Sequence, residues 1–384
     1  MSATAEMTEL FGPRAEVERL VAVEAALTRA AGQVGLLSQD VALRVGTAIE
    51  QVTVDASELL AAGLRAGTSI IPLIALLREH VGPNLATAVH LGATSQDILD
   101  TATMVAVRAA IAVLRGQLGG IVATLARFAQ LHAATPMMGR TLLQHALPTT
   151  FGLVAAGWMT AVADTDAGLA ALTPRLAVQL GGPVGTGASF EGRAAPLAEA
   201  LARSLGLAVP ILPWHTDRSR VMAIAAAVGA VAGQAERIAG DLLLLAQSDV
   251  GEIHFTLAAG EGTSSAMAHK QNPVHAIFAV AAAAQAPGLV GSLGNLAARH
   301  QLQRAAGAWQ AEWTLLPQLF IVTATALERL AAALDTMVVD AQVMEADLAV
   351  GCAAAHAAGS LEAHVRAAQL LVERALLALN LDVT

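Results

Sequence analysis

Tyrosine is absent from this chain, cysteine occurs once, at Cys352, and aromatic residues make up only 3% of its 384 positions. A single cysteine excludes a disulfide framework and a thiolate metal site. The scarcity of aromatics argues against a sheet-rich protein, because strands favour those side chains, while the dominance of alanine favours helix. Charge is scarce as well, at 14% of residues, and the balance is −9. With no basic stripe to collect phosphates, a nucleic-acid partner is excluded. The opening MSATAEMTEL carries acids where a signal peptide would carry lysine or arginine, and no apolar segment follows it. The expectation is a cytoplasmic protein.

What is abundant is apolar surface: 55% of residues are hydrophobic and the mean hydropathy is +0.58. A membrane protein would show such values. The longest uncharged stretch, Ala276–Ala298, nevertheless contains Gln285, Pro287, Asn295 and several glycines, and much of its apolar content is alanine. Leu, Ile and Phe are too sparse there for a spanning helix. A helix apolar on all sides also suits the interior of a large bundle, and no membrane partner is expected.

Periodicity and punctuation place the helices. Glu16–Val34 has helical spacing, and shorter helices are expected at Ser38–Ile49, at Asp55–Leu64 and from Pro72. Thr94-Ser95-Gln96-Asp97 has capping-box spacing and opens a pattern running to about His132, where Thr135-Pro136 stops it. Further helices are expected from near Pro148 to Leu172, over Ser219–Val250, and from about 274 to 302 and 306 to 337, with a small helical tail after 341. Leu180–Phe190 is glycine-rich but has neither the lysine of a phosphate loop nor GxGxxG after a strand, so a nucleotide cofactor is not expected. Helices this long form bundles whose apolar faces exceed what one chain covers, which makes an oligomer the expectation.

Three polar clusters interrupt the apolar chain. His90 to Asp97 brings hydroxyls and free amides to a helix start, which serves either as a cap or as an anion pocket. Gly139 to Gly152 gathers Arg140, Thr141, Gln144, His145 and Pro148, and His145 has a structural as well as a functional reading. Glu261–Pro273 carries Ser264, Ser265, His269, Lys270 and Asn272, in a loop that is either solvent-facing or functional. No HExxH, cysteine pair or GxSxG elbow is present, so no metal is expected.

Gly262–Pro273 reads GTSSAMAHKQNP, and with HLGATSQDILDTA (90–102) and GRTLLQHALPTTFGLVAAGW (139–158) it resembles the fumarase/aspartase/adenylosuccinate lyase superfamily. RAAGAWQAEW (304–313) adds to the resemblance, which spans nearly the whole chain. It implies an all-α fold with a long central helix bundle forming a tetrameric core, divided as 1–91, 92–340 and 341–384. It also implies a cofactor-independent enzyme acting on a small polycarboxylate, with active sites shared between subunits. Carried over by motif, Ser264 matches the catalytic serine, and Lys270 and Asn272 match a carboxylate-binding pair. Thr94 and Ser95 match further carboxylate contacts, Thr141 and Gln144 occupy binding positions of the second region, and Ser265 joins them. His90 and His145 line the site, and His145 is paired with Ser264 as a catalytic candidate.

Three positions depart from that pattern: Leu142 stands where amine-eliminating members carry histidine, Ala268 replaces a loop proline, and Gln271 replaces Arg or Val. Leu142 has a chemical consequence. An amine or alkoxide leaves poorly unless protonated, whereas a carboxylate, ionising near pKa ~4, leaves as a stable anion. The resemblance therefore implies proton transfer beside a carboxylate, with lactone closure or opening as the expected reaction. A sulfonated analogue as substrate, or a succinate losing an anion such as nitrite, remains as an alternative. A catalytically decayed structural member is disfavoured because Ser264, Lys270 and Asn272 are all present.

Overall fold

A computed structural model describes residues 3–267, 269–355 and 360–381. The loop position Ala268 lies outside the described residues, as does the Cys352 side chain. Five helices lead the chain: α1 (Ala3–Leu10), α2 (Pro13–Gln33), α3 (Gln39–Glu50), α4 (Ala56–Ala66) and α5 (Ile70–Val81). Pro13 opens α2, where its missing N–H leaves no bond unmade. Ser38 and Asp55 cap α3 and α4 by accepting from the amides of Val41 and Glu58.

Thr94 then opens α6 (Ser95–Leu131), 37 residues long. The Asp97 carboxylate accepts from the Thr94 amide at 3.0 Å, so the spacing seen in the sequence does fix this helix start. Strands β1 (Pro136–Thr141) and β2 (Gln144–Thr150) follow as an antiparallel hairpin, ahead of α7 (Phe151–Leu172), α8 (Ala194–Leu205) and α9 (Ser219–Leu245). After β3 (Ile253–Phe255) come α10 (Val274–Ala283), α11 (Ala286–Ala297) and α12 (Ala308–Thr336). Strand β4 (Met337–Val339) pairs antiparallel with β3, and α13 (Ala341–Ala355) and α14 (Leu361–Ala378) close the described chain.

The long helices run up and down one bundle. Asp100 at the start of α6 is hydrogen-bonded to Arg218 at the start of α9, and Glu312 at the start of α12 meets the same guanidinium. These three helices therefore rise from one end, here the Thr94 pole. α7 descends from the hairpin, and α10 with α11 descends toward His300, whose Nε2 lies 3.1 Å from Glu312. The hairpin, the β3–β4 ribbon and the loop between β3 and α10 form the opposite pole. At 1.5 Å per residue α6 alone separates the two poles by about 55 Å. The main core fills the bundle with residues such as Leu114, Leu118, Trp158, Val228 and Leu327. A second core joins α2, α3, α5 and α8 to the foot of α6 through Leu20, Leu27, Ile98, Phe190 and Trp309.

The fold is mostly helical, as expected, but not free of strands. The helix expected from Pro148 begins at Phe151, because Pro148 lies in β2 and Thr150 is the cap, its side chain accepting from Leu153 N at 3.2 Å. A two-stranded ribbon has free edges, so a proline without an N–H is tolerated there. The helix expected to reach Val250 stops at Leu245, and the stretch from 274 is split into α10 and α11 next to Pro287. Four stretches, Ser95–Leu131, Ser219–Leu245, Val274–Ala297 and Ala308–Thr336, are long and apolar enough to cross a membrane by length and composition. No more than half of each apolar window is buried within one chain.

Candidate active site

At the Thr94 pole the residues are held by a dense buried network. Asp97, almost wholly buried, accepts from the amides of Thr94, Gly181 and Gly182 and lies 2.8 Å from His215 Nε2. The glycine-rich segment thus wraps a carboxylate of its own chain. Two of its glycines bring bare backbone amides onto Asp97, which explains a composition that the nucleotide reading did not. One turn on, Asp100 receives both terminal nitrogens of Arg218 and the indole N–H of Trp309. Burial works against the charge on Arg218, but Asp100 and Glu312 more than reverse this, so its pKa lies above the ordinary guanidinium value. His300 is pushed the other way: burial lowers its pKa, against the pull of Glu312.

This scaffold presents Thr94, Ser95 and His90. Ser95 is the first residue of α6, where helix amides lack partners and the dipole favours an anion. A cation not singled out from the sequence also stands here. Arg304 donates to Thr94 Oγ1 at 3.2 Å and to the Pro183 carbonyl at 3.1 Å. Its only sequence signal is its place at the head of RAAGAWQAEW, 210 residues from its partner. His90 sits in a left-handed conformation, φ 60°, with Nδ1 2.6 Å from Glu24.

The hairpin carries Thr141, Gln144 and His145 at the other pole. Thr141 and Gln144 pair across its end and enclose a two-residue turn, Leu142-Leu143, in which both residues have positive φ. Their side chains are 96% and 69% exposed. Turns of this kind prefer Asn-Gly, and each leucine held there costs about 1–2 kcal/mol. Arg140 anchors the hairpin by donating to Glu252 at 2.7 Å and Asp347 at 3.1 Å. Burial raises the pKa of the Glu252 carboxyl, and Arg140 pulls it back. His145 is exposed, yet a Cβ added at Gly351 of α13 would stand 3.1 Å from its Nδ1. This imidazole therefore packs beside its own chain's α13.

The loop Gly262–Pro273 is closed at its neck. The Gly262 carbonyl accepts both the backbone amide of Asn272 at 2.7 Å and its side-chain amide at 3.0 Å. Gly262 has φ 64°, and any Cβ there would run into the Asn272 backbone, so glycine is required on both counts. Ser264 Oγ accepts from the amides of Ala266 at 3.3 Å and Met267 at 3.1 Å. Two N–H groups aimed at one hydroxyl oxygen are the arrangement that stabilises an alkoxide. Ser265 and Lys270 are exposed, and Lys270 is the only lysine in the chain.

The ten expected site residues therefore do not meet within one chain. His90, Thr94 and Ser95 share one pole, while Thr141, Gln144, His145, Ser264, Ser265, Lys270 and Asn272 belong to the other. The α10–α11 descent alone puts about 35 Å between the loop and the Arg304 segment. Among the described residues, no group of three or more His, Cys, Asp or Glu side chains is placed to hold a metal ion.

Comparison with known proteins agrees with the bundle and with the motifs. A family model described as "Lyase" matches residues 2–288. A 3-carboxy-cis,cis-muconate cycloisomerase of Pseudomonas aeruginosa is 40% identical over 348 residues, covering 90% of this chain and 76% of that protein. A nitrosuccinate lyase of Streptomyces davaonensis is 38% identical over 341 residues, covering 86% and 72%. The solved 3-carboxy-cis,cis-muconate lactonizing enzyme of Pseudomonas putida superimposes with a TM-score of 0.84 at 35% identity, over 97% of this chain and 86% of that one. The chain belongs to the lyase family that this model describes, the fumarate lyase superfamily.

Proposed function

We propose that the protein is a cycloisomerase that closes 3-carboxy-cis,cis-muconate to its carboxymuconolactone, a step in the breakdown of aromatic acids in the cytoplasm. The identity to relatives of that activity supports this reading, and the observation that carries its chemistry is the pair of amides on Ser264 Oγ. In the forward reaction one substrate carboxylate oxygen bonds to the distal alkene carbon. The alkene electron pair moves onto the neighbouring carboxylate to give an aci-carboxylate dianion. The Ser264 hydroxyl gives its proton to the α-carbon, and the resulting alkoxide is held by the Ala266 and Met267 amides until water reprotonates it. Three carboxylates become two, so each turnover takes up one proton.

Charge on the dianion needs preorganised donors, each worth about 3 kcal/mol by analogy with oxyanion holes. Lys270, Thr94, Ser95 and Arg304 supply them. Thr141, Gln144 and Ser265 contact the substrate's flanks, and Asn272 holds the loop closed through Gly262. His145 serves the site from the hairpin. Since the two poles are separated by the length of the bundle, these donors come from different copies in a homotetramer. Packing of the long helices against one another covers the apolar faces that one chain leaves open. Leu142 fits a leaving group that is already an anion.

A second reading has a specific observation behind it, the 38% identity to a nitrosuccinate lyase. Nitrite also leaves as a stable anion, so Leu142 suits both. The test is the absorbance of the conjugated diene acid, followed with purified protein and no added metal. Loss of absorbance with one proton taken up per molecule is expected. Unchanged absorbance at high enzyme, with fumarate and nitrite released from nitrosuccinate, would decide for the lyase.

A further inference from the structure

Helix α2 carries a carboxylate where its surroundings are apolar. Glu24 has no exposed surface and lies among Leu20, Val23 and Leu27 in the second core. Burying an ion costs several kcal/mol unless a partner compensates it. Its one partner among the described residues is His90, 66 residues away, with Nδ1 at 2.6 Å from Oε1. The other oxygen, Oε2, is buried without a hydrogen-bond partner, and so is the Thr28 hydroxyl one turn on.

His90 bears a second cost. It is a non-glycine residue at φ 60°, four positions before the helix cap Thr94. Left-handed backbone at such a residue persists only where the surroundings over-determine it. A contact that served packing alone would be better filled by leucine on α2 and glycine in the loop. Both costs fall on one hydrogen bond at the edge of the Thr94 pole.

We propose that Glu24 is a positioning residue for this site: it accepts the Nδ1 proton of His90 and so presents Nε2 to the substrate. With the Glu24 carboxylate as acceptor, the proton of this bond sits on Nδ1. The ring is thereby fixed in one tautomer and one orientation, and a third group orienting a histidine is a recurrent device of active sites. His90 remains 14% exposed, and its Nε2 makes no hydrogen bond among the described residues. Nε2 is thus the ring atom left to meet a carboxylate seated at Thr94, Ser95 and Arg304. The inference rests on the reading of that pole as a carboxylate site.

The test uses propane-1,2,3-tricarboxylate, which has the carboxylates but no alkene to react, with its binding measured by calorimetry on the intact protein. Glu24→Leu is expected to weaken binding about tenfold, as the loss of a charge-assisted contact would. His90→Asn, chosen because asparagine tolerates positive φ, is expected to do the same, and the double variant to be no weaker than either single one. Glu24→Gln keeps an acceptor and is expected to restore most of the affinity. Wild-type affinity in Glu24→Leu, or losses that add in the double variant, would overturn the proposal. The 15N-histidine spectrum of the wild-type protein decides independently of folding variants and ligand: a protonated Nδ1 on His90 is expected, and a protonated Nε2 with a bare Nδ1 refutes it. Tricarboxylate binding with the expected coupling but no turnover of the diene acid would sink the proposed reaction and leave the positioning role standing.

Discussion

The two poles of the bundle solve opposite problems. At the Thr94 pole, Asp97, Asp100, Arg218 and Glu312 are buried and multiply bonded, and the residues facing out are carried on that frame. At the other pole Lys270 and the hairpin turn stand in the open and Ser264 is half-buried, held by the Gly262–Asn272 neck and by Arg140. The difference teaches where each part's precision comes from. The pocket proposed for a fixed anion is built from rigid elements that pre-align its donors. The group proposed to reach a reacting carbon is carried on a loop with few ties beyond its neck, because few buried bonds allow local rearrangement.

That contrast is open to attack from either side. The largest effect is expected at the frame. Arg218→Met leaves Asp100 and Glu312 facing each other without a counter-charge and should cost about 3–5 kcal/mol. Denaturant titration would show it, and a midpoint like that of the wild type would mean the network is ornamental. Ser264→Ala should do the reverse, cutting turnover by roughly 10²–10³ while the melting temperature and assembly size stay put. Near-normal turnover would remove Ser264 from the mechanism.

Lys270 allows an intermediate test. Being the only lysine, it is the one side chain that an amine-reactive acylating agent takes. Acylation should lower turnover about tenfold or more by removing one charge, and tricarboxylate should protect. Mass spectrometry of the loop peptide reads out both. The smallest effect belongs to the hairpin. Replacing Leu142-Leu143 by Asn-Gly should raise stability by about 1 kcal/mol, since that pair suits positive φ. Turnover should nevertheless fall; a gain in stability without loss of rate would show that the strained leucines serve nothing at the site.

Much of the bundle was legible because helices leave local marks. Thr94 and Asp97 announce the start of α6, and Thr135-Pro136 announces its end. The hairpin was not legible, because its turn is Leu-Leu rather than a glycine-bearing pair, and Pro148 reads as a helix opener while sitting in a strand. The loop's residues stood out by motif. The partners that orient the site did not: Arg304 meets Thr94 across 210 positions and Glu24 meets His90 across 66. Helical spacing puts Glu24 on the same face as Val17, Leu20 and Leu27 and so marks it as facing inward, but its role depends on a residue brought in by the fold.

The up-and-down course of the bundle has a genetic consequence. On the proposed reading, a chain with its anion pocket at one end and its proton donor at the other supplies half of one reaction centre and half of another. Two different defects, Thr94→Ala and Ser264→Ala, then spoil different halves. Neither variant is expected to work alone, but subunits of the two mixed and reassembled should regain activity, because some centres would draw an intact pocket from one chain and an intact serine from its neighbour. Recovery of turnover in the mixture, against none in either parent, measures how the work is divided among copies without any need to see them together.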